Sequence, residues 1–188
     1  MILLLAVAAG LLAGWLRARI RRQPYQAPEL KWVWLVFLAV LPQIFTFHIE
    51  RTAGIIPDSI APFVLVSSQC LLLAFVWVNR SQPGFWTLGL GLALNLVTII
   101  TNGGWMPISP QTTARMYPEV PAERWTTGER LGTSKDILLS FQDMRLPWFA
   151  DRFTFPGWSP YYQVAFSFGD VLIALGTYWL LWSGGSES

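Results

Sequence analysis

The chain is poor in charge, in histidine and in cysteine. Charged residues fill 13% of its 188 positions, against about 25% in ordinary soluble domains. That shortage excludes an ordinary water-facing surface. There is one histidine, His48, and one cysteine, Cys70. No intrachain disulfide can form, and no Cys/His spacing suits a metal, so neither metal nor cofactor is expected. Cys70 falls inside an apolar run and reads as a small buried side chain. H-E-x-x-H, G-x-S-x-G, Walker and dinucleotide signatures are all missing. No catalytic residue is therefore assigned. The basic residues form no patch interleaved with aromatics, which excludes a nucleic-acid surface.

What the chain has in abundance is apolar and aromatic. Hydrophobic residues reach 53%, mean hydropathy is +0.43, and there are 11 Trp. This profile predicts an integral membrane protein whose first partner is the lipid bilayer. Five apolar runs predict an all-α bundle of five transmembrane helices in one domain: 2–20, 32–48, 61–78, 85–101 and 162–182. The last has 21 residues, about 31 Å of helix, enough for a hydrocarbon core of about 30 Å. Pro42 inside the second marks a kink. Arg17, Arg19, Arg21 and Arg22 follow the apolar stretch 2–16 rather than precede it, the reverse of a cleaved signal peptide, and the helix extends to Ile20 by snorkelling of its arginines. The expected inner loops, 17–31 and 79–84, add Lys31 and Arg80, while the outer loop 49–60 has only Arg51. The N-terminus is therefore expected outside and the C-terminus inside.

Residues 103–161 are too long for a bare connection and are expected to cap the bundle from outside. Within them "TSKDILLSFQDMR" reads as an amphipathic helix. Thr133 or Ser134 would cap it, Ile137, Phe141 and Met144 would share one face, and Pro147 would stop it. The aromatic-rich stretch after it is expected on the outer membrane surface. Glu119, Glu123, Glu129, Asp136, Asp143 and Asp151 alternate with basic residues and read as solvated. His48 reads as a solvated or capping residue near the outer end of the second helix.

In the fourth run Gly84, Thr87, Gly91, Asn95, Thr98 and Asn102 recur at helical spacing and predict one small, polar face for helix–helix contact. The run ends in "TNGGWMP". Gly103 and Gly104 can adopt positive φ and close the helix, Trp105 can anchor at the interface, and Met106–Pro107 prevent continuation. Two readings stay open: a cap with an anchor, or a pocket lined by the backbone of "TNGGW".

Asp170 is the residue with the sharpest chemistry. It lies eight residues past Tyr162, hence about 12 Å deep, where an acid costs several kcal/mol unless protonated, paired or wetted. Gln43, Ser67, Ser68, Gln69, Asn95, Thr98 and Asn102 arrive at comparable depth and complete a candidate intramembrane polar site. No Lys or Arg lies well inside a run. Asp170 is thus expected to be protonated and hydrogen-bonded, or to bind a cation or an amine. The alternative is interhelical glue, with Asp170 bonded to Asn95, Asn102 or carbonyls near Gly103.

"NGGWMPIS", "RLPWFADRF" and "FSFGDVLIALG" resemble an uncharacterised bacterial family of small multi-spanning membrane proteins, a domain of unknown function. Its marks here are N-G-G-x-M-P and G-D-V-L-I-A-L-G, and the resemblance covers nearly the whole chain. It implies a location in the bacterial cytoplasmic membrane and singles out Gly169 beside Asp170, but supplies no activity. Three functions follow as expectations. The first is a non-catalytic accessory, scaffold or small binding protein, as a homo-oligomer or part of a larger membrane complex. The second is a proton- or cation-coupled transporter using Asp170. The third is a membrane enzyme acting on a lipid-borne substrate.

Overall fold

The computed structural model describes residues 2–49, 56–155 and 163–184 and is mostly helical. Six α-helices occur among them: α1 Ile2–Ile20, α2 Trp34–Phe47, α3 Ala61–Val78, α4 Phe85–Thr101, the short α5 Pro110–Met116, and α6 Phe168–Ser183. By length and composition α1 and α3 can cross a membrane; α2, α4 and α6 are apolar but shorter. Two small sheets accompany them. Strand β1 (Met106–Ile108) pairs in parallel with β2 (Asp136–Leu138), and β3 (Phe153–Thr154) pairs antiparallel with β4 (Ala165–Phe166).

The long helices pack in the order α1, α6, α4, α3, α2. Each carries large apolar side chains on its outer face, and α1 turns small residues inward. The buried positions of α1 are Gly10, Gly14 and Ala18, while Leu4 and Leu12 are 71% and 59% exposed. Phe37, Phe63, Trp77, Trp86 and Leu175 point outward from the other four. Glycine is required where backbones nearly touch. A Cβ on Gly91 would lie 2.5 Å from the carbonyl oxygen of Gly169, and one on Gly176 would lie 2.6 Å from that of Gly84. The small-residue face of α4 is thus its contact with α6.

Two sets of polar contacts tie the bundle at opposite ends. At one, Arg17 donates to the carbonyl of Ser183 (3.1 Å) and Tyr25 to that of Leu181 (2.9 Å). Asn79 exchanges two hydrogen bonds with the Lys31 backbone there, at 2.8 and 2.9 Å. At the other, Asp58 pairs with Arg130 (2.7 Å), and Asn102 exchanges two bonds with the Arg145 backbone.

Four expectations are corrected. The stretch 133–145 is no helix: Asp136–Leu138 is β2, and Ser134 Oγ accepts from the Asp136 N–H in a local turn. The β-capable "DIL" gains more from pairing with the Met106–Ile108 backbone than from an isolated helical turn. Pro147, expected as a stop, opens a 3-10 turn at Pro147–Phe149. The last helix begins at Phe168, not 162, because Ser167 caps it; residues 163–167 form coil and β4. Tyr162, like Arg51, Trp158 and Tyr161, lies outside the described residues. Cys70 is exposed, not buried.

Candidate functional site

The first turn of α6 holds Asp170. Ser167 Oγ accepts from the Asp170 N–H (3.0 Å), and Asp170 Oδ2 accepts from the Ser167 N–H (2.9 Å). This reciprocal capping box satisfies two helix-end donors. Asn95, from α4, donates to Asp170 Oδ1 (2.9 Å) and accepts from the buried Ser167 hydroxyl (2.9 Å). Both Asp170 oxygens therefore accept from N–H donors, and the α6 N-terminus favours an anion there. Asp170 is not deep in a helix, as expected from a start at 162, but at its end. Replacing Ser167 with Ala removes the cap and the donor to Asn95, and is expected to cost about 1–2 kcal/mol. A denaturation midpoint unchanged from wild type would refute that.

The other polar residues do not join Asp170 in one layer. Gln43 donates to Ser68 Oγ (2.5 Å) between α2 and α3. Ser67 is exposed and bonds the Phe63 carbonyl of its own helix. Gln69 is buried, with Oε1 unpartnered. Thr98 donates back to Leu94 (2.8 Å), and Asn102 caps α4 while holding Arg145. Among the described residues no hydrogen bond links the Gln43–Ser68 pair to the Asp170 set. These polar groups bond within their own helix or to an adjacent segment, and none gathers around Asp170 except Asn95.

Gly103 and Gly104 have φ of 74° and 88°, and the Gly104 N–H reaches the Ile99 carbonyl at 2.9 Å. The chain then enters β1. Met106 is 1% exposed, and Pro107 is fully buried with it. Half-buried Trp105 lies under the Arg130 guanidinium, 5.0 Å from its ring centre.

The β1–β2 pairing also assembles a charge cluster that the sequence reading assigned to a solvated surface. The Met106 N–H donates to the Lys135 carbonyl (3.1 Å), and the Asp151 N–H to that of Pro107 (3.0 Å). Lys135 Nζ then lies 2.9 Å from Asp136 Oδ1 and 2.5 Å from Asp151 Oδ2. Asp136 is 8% exposed and Asp151 1%. Burial pushes the Asp151 carboxyl well up, against the pull of Lys135. Burial works against the Lys135 ammonium too, but Asp136, Asp151 and Asp170 together outweigh it and raise Lys135 above the ordinary lysine value. Asp170 thus feels a cation from the outer segment at a distance, without a hydrogen bond or ion pair to it. Asp151 Oδ1 has no hydrogen-bond partner.

Two cavities flank this cluster. One, of about 260 Å³, is lined by Gln43, Phe47, Tyr117, Lys135, Asp136 and Gln163, with His48 at its side. The other, about 120 Å³, is lined by Ser109, Thr112, Arg115 and Asp151. His48 is the C-cap of α2, exposed, with its N–H on the Ile44 carbonyl. Tyr117 is pushed up by burial, then by Asp136 and Glu119, so it keeps its phenolic proton as a donor at neutral pH. Two buried carboxylates, one ammonium and the Tyr117 ring give this region a polar lining with an aromatic side.

Residues 27–182 match the model of a family of unknown function, DUF5317, and the chain belongs to that family. An uncharacterized protein of Thermotoga maritima is 28% identical over 115 residues, which cover 61% of this chain and 60% of the relative. No solved structure matches the chain.

Proposed function

We propose that this DUF5317 member is a multi-pass protein of the bacterial cytoplasmic membrane that acts as a small binding protein or accessory subunit. In this reading α1, α2, α3, α4 and α6 all cross the bilayer within a single domain. Residues 103–161 roof them from outside, and the C-terminus is inside. One observation carries it: all five long helices turn large apolar side chains outward, and α1, α4 and α6 meet one another through glycines. In water such a surface would aggregate; in lipid it costs nothing, and close packing becomes the main attraction. Arg17, Arg80 and Lys31 gather at the end that would face the cytoplasm. Exposed Phe141, Trp148, Phe153 and Phe168 gather at the other, with Arg152 stacked 4.8 Å over Trp148. That fits an interfacial aromatic belt.

The 14 residues of α2 span about 21 Å, short of a core of about 30 Å. Flanking Trp32 and Val33 and local bilayer thinning make up the difference. Binding is favoured over transport through Asp170, because four hydrogen bonds pin that side chain, its backbone and its neighbours. A mobile proton carrier would have to break them.

Topology is tested by single-cysteine labelling in a Cys70→Ala background. An impermeant maleimide is expected to label Gln142→Cys in cells with a permeable outer envelope, and Arg21→Cys only after lysis. Labelling of both without lysis, or recovery of the chain in the soluble fraction, defeats the five-span reading. For the binding role, native purification in lipid nanodiscs is expected to bring along a small molecule or a companion subunit. Asp170-dependent uptake by the chain alone in proteoliposomes would favour the carrier instead.

A further inference from the structure

We infer that the larger cavity is a binding site for a small organic ammonium with an apolar body, and that Asp136 is its counter-ion. The inference rests on the binding role proposed above and names the ligand class. The cavity, about 260 Å³, lies between the end of α2, the end of α5, β2 and the segment before β4. Asp136 is 8% exposed and lines it. Its Oδ1 takes Lys135, but its Oδ2 has no hydrogen-bond partner among the described residues. An ionised carboxylate offers about four acceptor positions, so Asp136 can accept a further donor from the cavity it lines.

The local charge count favours a cation. Lys135 is the ammonium shared by Asp136 and Asp151, and Asp170 acts on it as well. Two carboxylates thus share one lysine, and a third acts on it from further away. The nearby guanidiniums are engaged elsewhere. Arg130 holds Asp58 and the carbonyls of Thr133 and Ser134, and lies over Phe47 and Trp105. Arg115 donates to Thr112 Oγ1 and to the Arg152 carbonyl. Glu119 sits close enough to Gln163 to accept from its amide at 3.5 Å. A ligand anion would meet this negative wall, with Lys135 already occupied on two sides. A ligand ammonium would complete Asp136.

The rest of the lining suits the body of such a ligand. Phe47, Met116, Leu131, Val164 and Ala165 supply apolar contact, and Tyr117 supplies an aromatic ring and a hydroxyl. Aromatic rings beside an acid are a general solution for organic cations, because the ring face attracts positive charge.

The test uses the full chain in nanodiscs of neutral lipid, with three probes of one shape: benzylamine, benzyl alcohol and benzoate at neutral pH. Binding is read by saturation-transfer NMR and competition. Benzylammonium is expected to bind roughly tenfold more tightly than either of the others, which is about 1.4 kcal/mol. Asp136→Asn is expected to remove that preference. Because this variant also takes a partner from Lys135, Ala165→Phe serves as a second one: it fills the cavity, keeps every charge, and is expected to abolish binding of all three. Tighter binding of benzoate, or equal binding of all three, would overturn the ammonium assignment and leave the binding role standing. Saturation by none of them overturns the inference; if the nanodisc preparation also carries no companion, the binding role falls with it. Binding unaffected by Ala165→Phe places the amine elsewhere and likewise overturns the site.

Discussion

Lys135→Met is expected to be among the most destabilising substitutions of a single charged residue in this protein. It removes the cation from a carboxylate, Asp151, that is 1% exposed and has a second oxygen with no partner. Breaking a buried pair from one side costs about 3–5 kcal/mol, because the remaining charge stays buried. The Lys135 side chain itself is 37% exposed, so solvent screens part of the interaction and the lower end, about 3 kcal/mol, applies. The loss should also depend on pH. Burial raises the Asp151 carboxyl in the folded chain, so the folded state binds more protons than the unfolded one between the ordinary and the raised value. Stability therefore falls as pH rises through that window. Lys135 pulls the Asp151 value down, and its removal extends the window upward. Lys135 itself is raised above its ordinary 10.5, so its own contribution is constant well below that value and does not confuse the comparison. The variant should stand closer to wild type at about pH 5 than at about pH 8.

Asp151→Asn added to Lys135→Met should recover more than half of the loss, since it removes the orphaned charge. Unfolding in mild detergent, followed by tryptophan fluorescence at both pH values, measures all of this. Additive losses in the double variant, or a pH dependence of the opposite sign, would show that the two side chains are not an energetic pair.

The cluster behind that prediction was hidden from the sequence for a physical reason. Helices announce themselves locally, through apolar runs and glycine spacing; four of the five long ones fall within the predicted runs, and the last overlaps its run but ends one residue beyond it. The contact face of α4 was legible too, because Gly84, Gly91 and Asn95 repeat at helical period. Lys135, Asp136 and Asp151 have no such period. They meet because a three-residue parallel pairing brings Met106 beside Asp136, across a separation that no local pattern encodes. The amphipathic spacing of Ile137, Phe141 and Met144 even favoured a helix there, and long-range pairing overrode it. The start of α6 failed for the opposite reason. The apolar count ran back to 162, while the S-x-x-D box at Ser167 and Asp170, a local signal with its own mechanism, was passed over. That six-residue error moved Asp170 from a helix end to its interior and made a cap look like a buried acid in need of a ligand.

Gly169→Ala is expected to cost about 3 kcal/mol, at the top of the range for one overpacked position, although alanine is the better helix former. Gly169 lies where α4 and α6 come closest. An added methyl would sit 2.7 Å from Asn95 Cγ and 2.8 Å from the Gly91 carbonyl oxygen, and closer still to Asn95 Oδ1. Backbone on one side and a doubly bonded amide on the other leave it no soft neighbour to displace. Either the helices separate or Asn95 turns away, and turning it away removes the donor to Asp170 and the acceptor for Ser167. Gly103→Ala provides the contrast. Nothing lies within 4 Å of a methyl there, yet φ is +74°, so its cost is purely conformational, about 1–2 kcal/mol. The first substitution should weaken a disulfide crosslink engineered between α4 and α6, and the second should leave it intact. Equal costs and equal crosslinking for both would mean that the glycines of α4 and α6 serve backbone conformation alone, and that close approach of these two helices does not hold the bundle together.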